Sequence, residues 1–250
     1  MEPRGIMGGF YRISEWIMRL SVTNILWLVC SIPFVFFAMG VIWAQDESQL
    51  YSSLIVTAIV SPFFFFPATA AMFTVARKWV MGEVDVPLIK TFFRGYKENY
   101  KQSMLGGLLY TVIFVVLIVD FMVYKNQFNS IISYIFIAFL LLLVVSVFNF
   151  FSMTVHYHMK TFQLLKNAIL ITIGKPFRSI STALMSGVVV YFSMQFTFLI
   201  PFFMGSVIAF LSFWNFYIIY QKLQEQAEKA KQTSEEDEFP ELTEHSSDNK

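Results

Sequence analysis

The sequence predicts an all-α fold: a polytopic transmembrane helical bundle of six spans, with both chain ends in the cytoplasm. Three observations predict it. Apolar residues make up 56% of the 250 positions and charged residues 14%, where a soluble domain holds about 45–50% and about 25%. The 30 phenylalanines exceed what a soluble core of this length absorbs, so the surplus faces lipid. Six apolar stretches come close to or exceed the ~20 helical residues that cross a ~30 Å hydrocarbon layer, and with the N-terminus inside, every Lys and Arg except Lys125 falls in an inner segment, the bias that sets orientation.

The first span, 24–44, follows an inner segment carrying Arg4, Arg12 and Arg19. Its apolar run is too long for a signal peptide and no small-x-small cleavage site follows, so it is expected to be retained. Asp46 and Glu47 mark a short outer loop before the second span, 54–76, in which Pro62 and Pro67 bracket four phenylalanines. Each proline lacks an N–H and frees the carbonyl one turn earlier, so kinks are expected at Pro33, Pro62 and Pro67. Arg77 and Lys78 close the second span on the inside. There, Phe92, Phe93, Tyr96 and Tyr100 recur at helical spacing, with Lys90, Arg94, Lys97 and Lys101 filling much of the other side. This pattern predicts an interfacial amphipathic helix, its rings in the headgroup layer and its cations on the anionic inner leaflet. RNA binding is the competing reading of basic and aromatic residues together; next to a membrane span, no nucleic-acid partner is expected.

The third span, 104–124, opens on Gly106 and Gly107, which permit close helix approach. The fourth is 131–153, and the next inner segment holds Lys160, Lys166, Lys175 and Arg178. The fifth and sixth, 180–200 and 202–220, are divided by Pro201. At ~1.5 Å per residue they add up to ~60 Å of helix, two crossings, so a tight hairpin around Pro201 is expected. The alternation of basic inner segment, outgoing helix and returning helix fits a plan of three helical hairpins; it also fits any six-span chain with short outer loops. These spans make one transmembrane domain, 1–223. From Glu225 onward nine acidic residues face three lysines, which predicts a disordered acidic cytoplasmic tail over 224–250.

Chemistry-bearing patterns are sparse. Cys30 is a lone apolar-run thiol, expected to pack. His156 and His158 point to different faces of a helix, a poor metal pair. No nucleophile-elbow, phosphate-loop, dinucleotide or zinc-protease motif occurs, and neither catalytic residues, a metal nor a cofactor is expected. Asp120 is the one formal charge within the spans. It shares an outer depth with Gln195 and is expected within hydrogen-bonding reach of it, while Asn149 and Asn215 are expected to form a second polar layer nearer the inner end. Two functional readings follow. In one, Arg77, Lys78, Phe93, Arg94, Lys97, Asn99 and Lys101 dock a partner or the anionic inner leaflet. In the other, Asp120, Gln195, Asn149, Asn215 and the proline kinks line a path for a small solute.

The run FPATAAMFTVARKWVMGEVDVP, followed by TFFRGYKENYKQS and preceded by LSVTNILWLVCSIPF, resembles the YesL family of bacterial integral membrane proteins, grouped as domain of unknown function 624. The likeness covers roughly residues 10–105. Phe63–Phe66 depart from the small residues that members often carry before Pro67. The resemblance implies a multi-pass protein of a bacterial plasma membrane, and an accessory or regulatory role beside carbohydrate uptake or sensing systems, with a sugar transporter or sensor kinase as partner. It supplies no catalytic residue.

Overall fold

The computed structural model describes residues 6–125 and 130–238. Within them the order is α1 (Ile6–Cys30), α2 (Ile32–Ile42), α3 (Glu47–Val80), α4 (Leu88–Lys125), α5 (Ser130–His156), α6 (Thr161–Gly174), α7 (Pro176–Gln195) and α8 (Gly205–Glu238), with a π turn at Ile200–Met204 leading into α8. Six of these elements are long and apolar enough to cross a membrane: α1, α3, α4, α5, α7 and α8. The all-α bundle of six spans is therefore the observed class, but several helix ends differ from those expected.

The first apolar stretch is two helices. α1 starts far upstream of residue 24 and ends at Cys30; Ser31 breaks the path while its N–H still reaches the Trp27 and Leu28 carbonyls, both at 3.0 Å. Pro33 then sits in the first turn of α2, where a missing N–H removes no intrahelical bond; it starts a helix instead of kinking one. The expected interfacial helix and third span are one continuous element, α4, 38 residues or ~57 Å long. No separate surface helix precedes the span, because the basic segment packs along α3. The reversal before α8 falls at 196–199, and Pro201 again lies in a first turn, that of the π element. The region expected to be disordered from 224 continues α8 as helix to Glu238; residues 239–250 lie outside the described residues.

α3 is the hub, packed on α1, α2, α4, α5 and α8. Asp46 caps its start by accepting the Gln49 N–H at 2.8 Å, and Gly82, at φ 90°, turns the chain away after its end. Every residue from Phe66 to Ala76 is buried. A helix enclosed on all sides must be apolar all round and narrow enough for its neighbours, which is what the Ala68, Ala70 and Ala71 side chains provide. Pro62 and Pro67 lie inside this helix without interrupting it. α4 runs antiparallel to α3 in a register fixed at three points: Ser61 Oγ to Thr111 Oγ1 at 3.0 Å, Phe66 over Gly107, and Thr74 against Gly95. A Cβ on any of Gly95, Gly106 or Gly107 would run into Thr74, Phe150 or Phe66.

Candidate functional site: the inner ends of α3 and α4

The end of the bundle that carries the basic residues, expected to be cytoplasmic, is built where α3 ends and α4 begins. The seven residues expected to dock there divide into two groups. On α4, Thr91, Phe92 and Gly95 are buried against the bundle. Phe93, 48% exposed, points outward with the exposed Arg94, Lys97 and Lys101. Arg94 stands 4.0 Å from Glu98 one turn on, and neither Lys97 nor Lys101 has an ion-pair partner among the described residues. These four form one outward strip on a rigid helix.

The other three are engaged in the protein. Asn99 donates to Thr74 Oγ1 (3.3 Å) and to the Gly95 carbonyl (3.0 Å), and Thr74 in turn donates to the Ala70 carbonyl (2.9 Å); Asn99 joins α4 to α3. Lys78 pairs with Glu83 at 2.7 Å across the Gly82 turn. Arg77 is half-buried, with its Nε enclosed and without a hydrogen-bond partner, so its side chain lies along the bundle instead of projecting from it.

The two polar layers also separate. α4 and α7 do not touch among the described residues, so Asp120, half-buried, and Gln195, exposed at the end of α7, are not brought together. Asn149 and Asn215 are both enclosed, at 5% and 1% exposure. Asn149 donates to Thr172 Oγ1 at 2.9 Å. Asn215 donates to the Arg178 carbonyl at 2.7 Å and to Thr182 Oγ1 at 2.5 Å, and accepts from Arg178 Nη1 at 3.2 Å. Ser179 Oγ, donating to the Thr172 carbonyl at 2.7 Å, links the two groups through the α6–α7 elbow. The interior beside this belt is filled by Phe66, Phe73, Tyr110, Phe150 and Phe151, all buried. A cavity of about 580 Å³ between α2, α3, α4 and α5 is walled by Phe34, Ile55, Phe65, Phe114, Val144 and Phe148, and includes none of the four polar residues expected to line a path.

Pro62 and Pro67 free carbonyls as expected, and each of these carbonyls finds a hydroxyl. Ser61 Oγ donates to the Ala58 carbonyl left by Pro62 (3.1 Å), and Tyr100 Oη approaches the Phe63 carbonyl left by Pro67 (3.4 Å). Two groups were not anticipated. Asn24 donates to the Ile200 and Pro201 carbonyls (3.0 and 2.7 Å) and accepts the Ser206 N–H (2.9 Å), closing the π turn. Arg19, 6% exposed, pairs with both Glu15 and Asp85 and lies 5.8 Å from the Trp16 ring. The signal for Arg19 was the Glu15–Arg19 spacing of four on one helix face. Asn24 offered only its polarity beside an apolar run.

Comparison with known proteins places this architecture. The "Uncharacterized protein YteU" of Bacillus subtilis (strain 168) is 29% identical over 212 residues, 84% of either chain. The "Uncharacterized protein YesL" of the same organism is 26% identical over 207 residues, 82% of this chain and 87% of its own. The "Uncharacterized protein YesV" is 28% identical over 141 residues, 55% of this chain and 67% of its own. No solved structure matches. A family model described as "Protein of unknown function, DUF624" matches residues 20–121, from the middle of α1 to near the end of α4, and so takes in all of α3 and most of α4. Over residues 20–121 the chain is thus similar to the DUF624 family, and over most of its length to uncharacterised bacterial proteins.

Proposed function

We propose that the protein is a non-enzymatic accessory or regulatory membrane component that engages a partner through the outward strip Phe93, Arg94, Lys97 and Lys101. The observation that carries this reading is the division within α4: Phe92 is buried in the bundle and Gly95 lies against Thr74 of α3, while the adjacent Phe93 and Arg94 are presented outward on the same helix. An exposed aromatic ring beside cations, of which Lys97 and Lys101 have no ion-pair partner among the described residues, is a composition that suits a recognition surface, and its rigid backing removes most of the ordering penalty on binding. The family resemblance implies carbohydrate uptake or sensing as the setting, which makes a sugar-transporter subunit or a sensor kinase the first partner class to examine.

The test is purification from native membranes in mild detergent with mass spectrometry of co-purifying proteins, for the parent chain and for Phe93→Ala/Lys97→Ala. Asn99 is left intact because it holds α4 on α3. Reproducible recovery of a membrane partner with the parent, reduced about tenfold in the double variant at unchanged thermal stability, is the expected outcome. Equal recovery from both proteins sinks the assignment of this strip.

A further inference from the structure

We propose that a second inner-end site, independent of the α4 strip, binds an anionic phospholipid: an acyl chain lies in the groove between α5, α6 and α8, and the headgroup phosphate is held by Lys160, Lys166 and Lys222. The groove is a cavity of about 240 Å³ walled chiefly by Met153, Tyr157, Leu170, Ile219 and Leu223, with Asn167 as a polar wall residue. Its apolar character continues outward, since Leu170 is 55% and Leu223 42% exposed.

Each of the three lysines neighbours a groove residue along the chain. Lys166 lies one turn before Leu170 on the same face of α6. Lys222 adjoins Leu223 on α8, and Lys160 follows Met159, another groove residue, at the cap of α6. All three are exposed, and none has an ion pair among the described residues. The local field is unbalanced for a reason visible in the sequence: from residue 121 to 224 the chain contains no Asp or Glu, and the first carboxylate, Glu225, comes two residues beyond Leu223, the last groove residue of α8. An apolar slot rimmed by uncompensated cations, at the end of the bundle expected to face an anionic leaflet, fits a molecule with one greasy and one negative end. Inorganic phosphate would leave the slot empty, and an acidic peptide would not fill it with hydrocarbon.

The experiment uses the full chain in neutral detergent, with dioleoylphosphatidylglycerol, dioleoylphosphatidylcholine, inorganic phosphate and a polyglutamate peptide as separate probes. Lipid retention is read by native mass spectrometry, and stabilisation by the thermal unfolding midpoint. Saturable retention of the phosphatidylglycerol, at least about tenfold above the phosphatidylcholine, is expected, with a rise in midpoint. Lys160→Gln/Lys166→Gln/Lys222→Gln removes the preference, and Leu170→Trp, which fills the slot, lowers retention of both lipids. Arg12→Gln, on α1, which touches neither α5 nor α6 among the described residues, leaves the preference in place. Should the triple variant not fold, Lys166→Gln alone is read the same way, with a threefold or larger loss expected. Equal retention of the two lipids, an unchanged preference in the lysine variants, a midpoint rise reproduced by inorganic phosphate alone, or binding of polyglutamate in place of lipid each overturns the proposal.

Discussion

Thr23 and Asn24 are adjacent, both fully enclosed at 0% exposure, and predict opposite responses to substitution. Asn24 spends its amide on three backbone groups at the π turn, on Ile200, Pro201 and Ser206. In a lipid environment no water replaces a lost partner. Asn24→Ala removes all three hydrogen bonds and is expected to destabilise the protein by about 2–4 kcal/mol, at ~1 kcal/mol for each bond lost. Thr23 Oγ1 has no partner. Thr23→Val keeps the shape and removes the unmatched hydroxyl, so its expected effect is neutral to stabilising. Thermal unfolding in detergent checks both, and a loss in Thr23→Val equal to that in Asn24→Ala would show that packing alone governs this part of α1.

α7 is a helix whose apolar side faces out. Its buried side chains are Ser179, Thr182, Ser186 and Ser193, while Phe177, Ile180, Leu184, Val188 and Tyr191 are exposed. In water this would be an inverted design; in a bilayer it is the expected one, because lipid takes the apolar side and protein neighbours supply the hydrogen bonds. The hydroxyls are not equivalent. Thr182 receives Asn215 and donates to the Arg178 carbonyl, whereas Ser186, and Ser212 on α8, have buried hydroxyls without partners. Ser186→Ala and Ser212→Ala are thus expected to change stability by no more than about 0.5 kcal/mol, and Thr182→Val to lose about 1 kcal/mol; denaturant titration distinguishes them. The stripe was legible in the sequence, with hydroxyls spaced by three, four and seven. Its inward orientation was not, because hydrophobicity reports that a face avoids water and not whether lipid or protein covers it. The same ambiguity holds for the second span, where the apolar stretch Ala68–Ala76 is enclosed by neighbouring helices on all sides. Within the docking group, charge and aromaticity picked out residues 90–101. Which of them face out depended on Gly95 meeting Thr74, a contact between helices that a single sequence does not display.

At the scale of the whole molecule the register of α3 against α4 locates the inner edge of the bilayer. Thr74 lies against Gly95 and Phe66 over Gly107, so Lys97 and Lys101 stand beside the enclosed Ala68–Thr74 stretch, well above Arg77. If hydrocarbon reached Ala76, as the apolar run of α3 alone implies, both exposed lysines would sit within it, where a charge costs ~2.5–3.5 kcal/mol or more. The lipid-facing side of α4 turns apolar only at Leu105, Leu108 and Val112, which are 50%, 49% and 57% exposed. The edge of the hydrocarbon is therefore expected between Lys101 and Leu105, with the inner third of α3 shielded by protein beyond it. Single cysteines placed at Lys97, Lys101, Leu105, Leu108 and Val112 in a Cys30→Ser background test this with a membrane-impermeant maleimide, which needs a hydrated thiolate. In inside-out vesicles, Lys97→Cys and Lys101→Cys are expected to label fully, Leu105→Cys at least fivefold more slowly, and the two deeper positions not at all. In right-side-out vesicles none of the five labels. Labelling of Lys97→Cys from the outside would reverse the orientation drawn from the basic residues. Labelling of Leu108→Cys and Val112→Cys from the inside would place water along α4 at membrane depth, where the exposed Leu108 and Val112 side chains require lipid, and the solute-path reading would then have the hydrated route that the filled interior denies it.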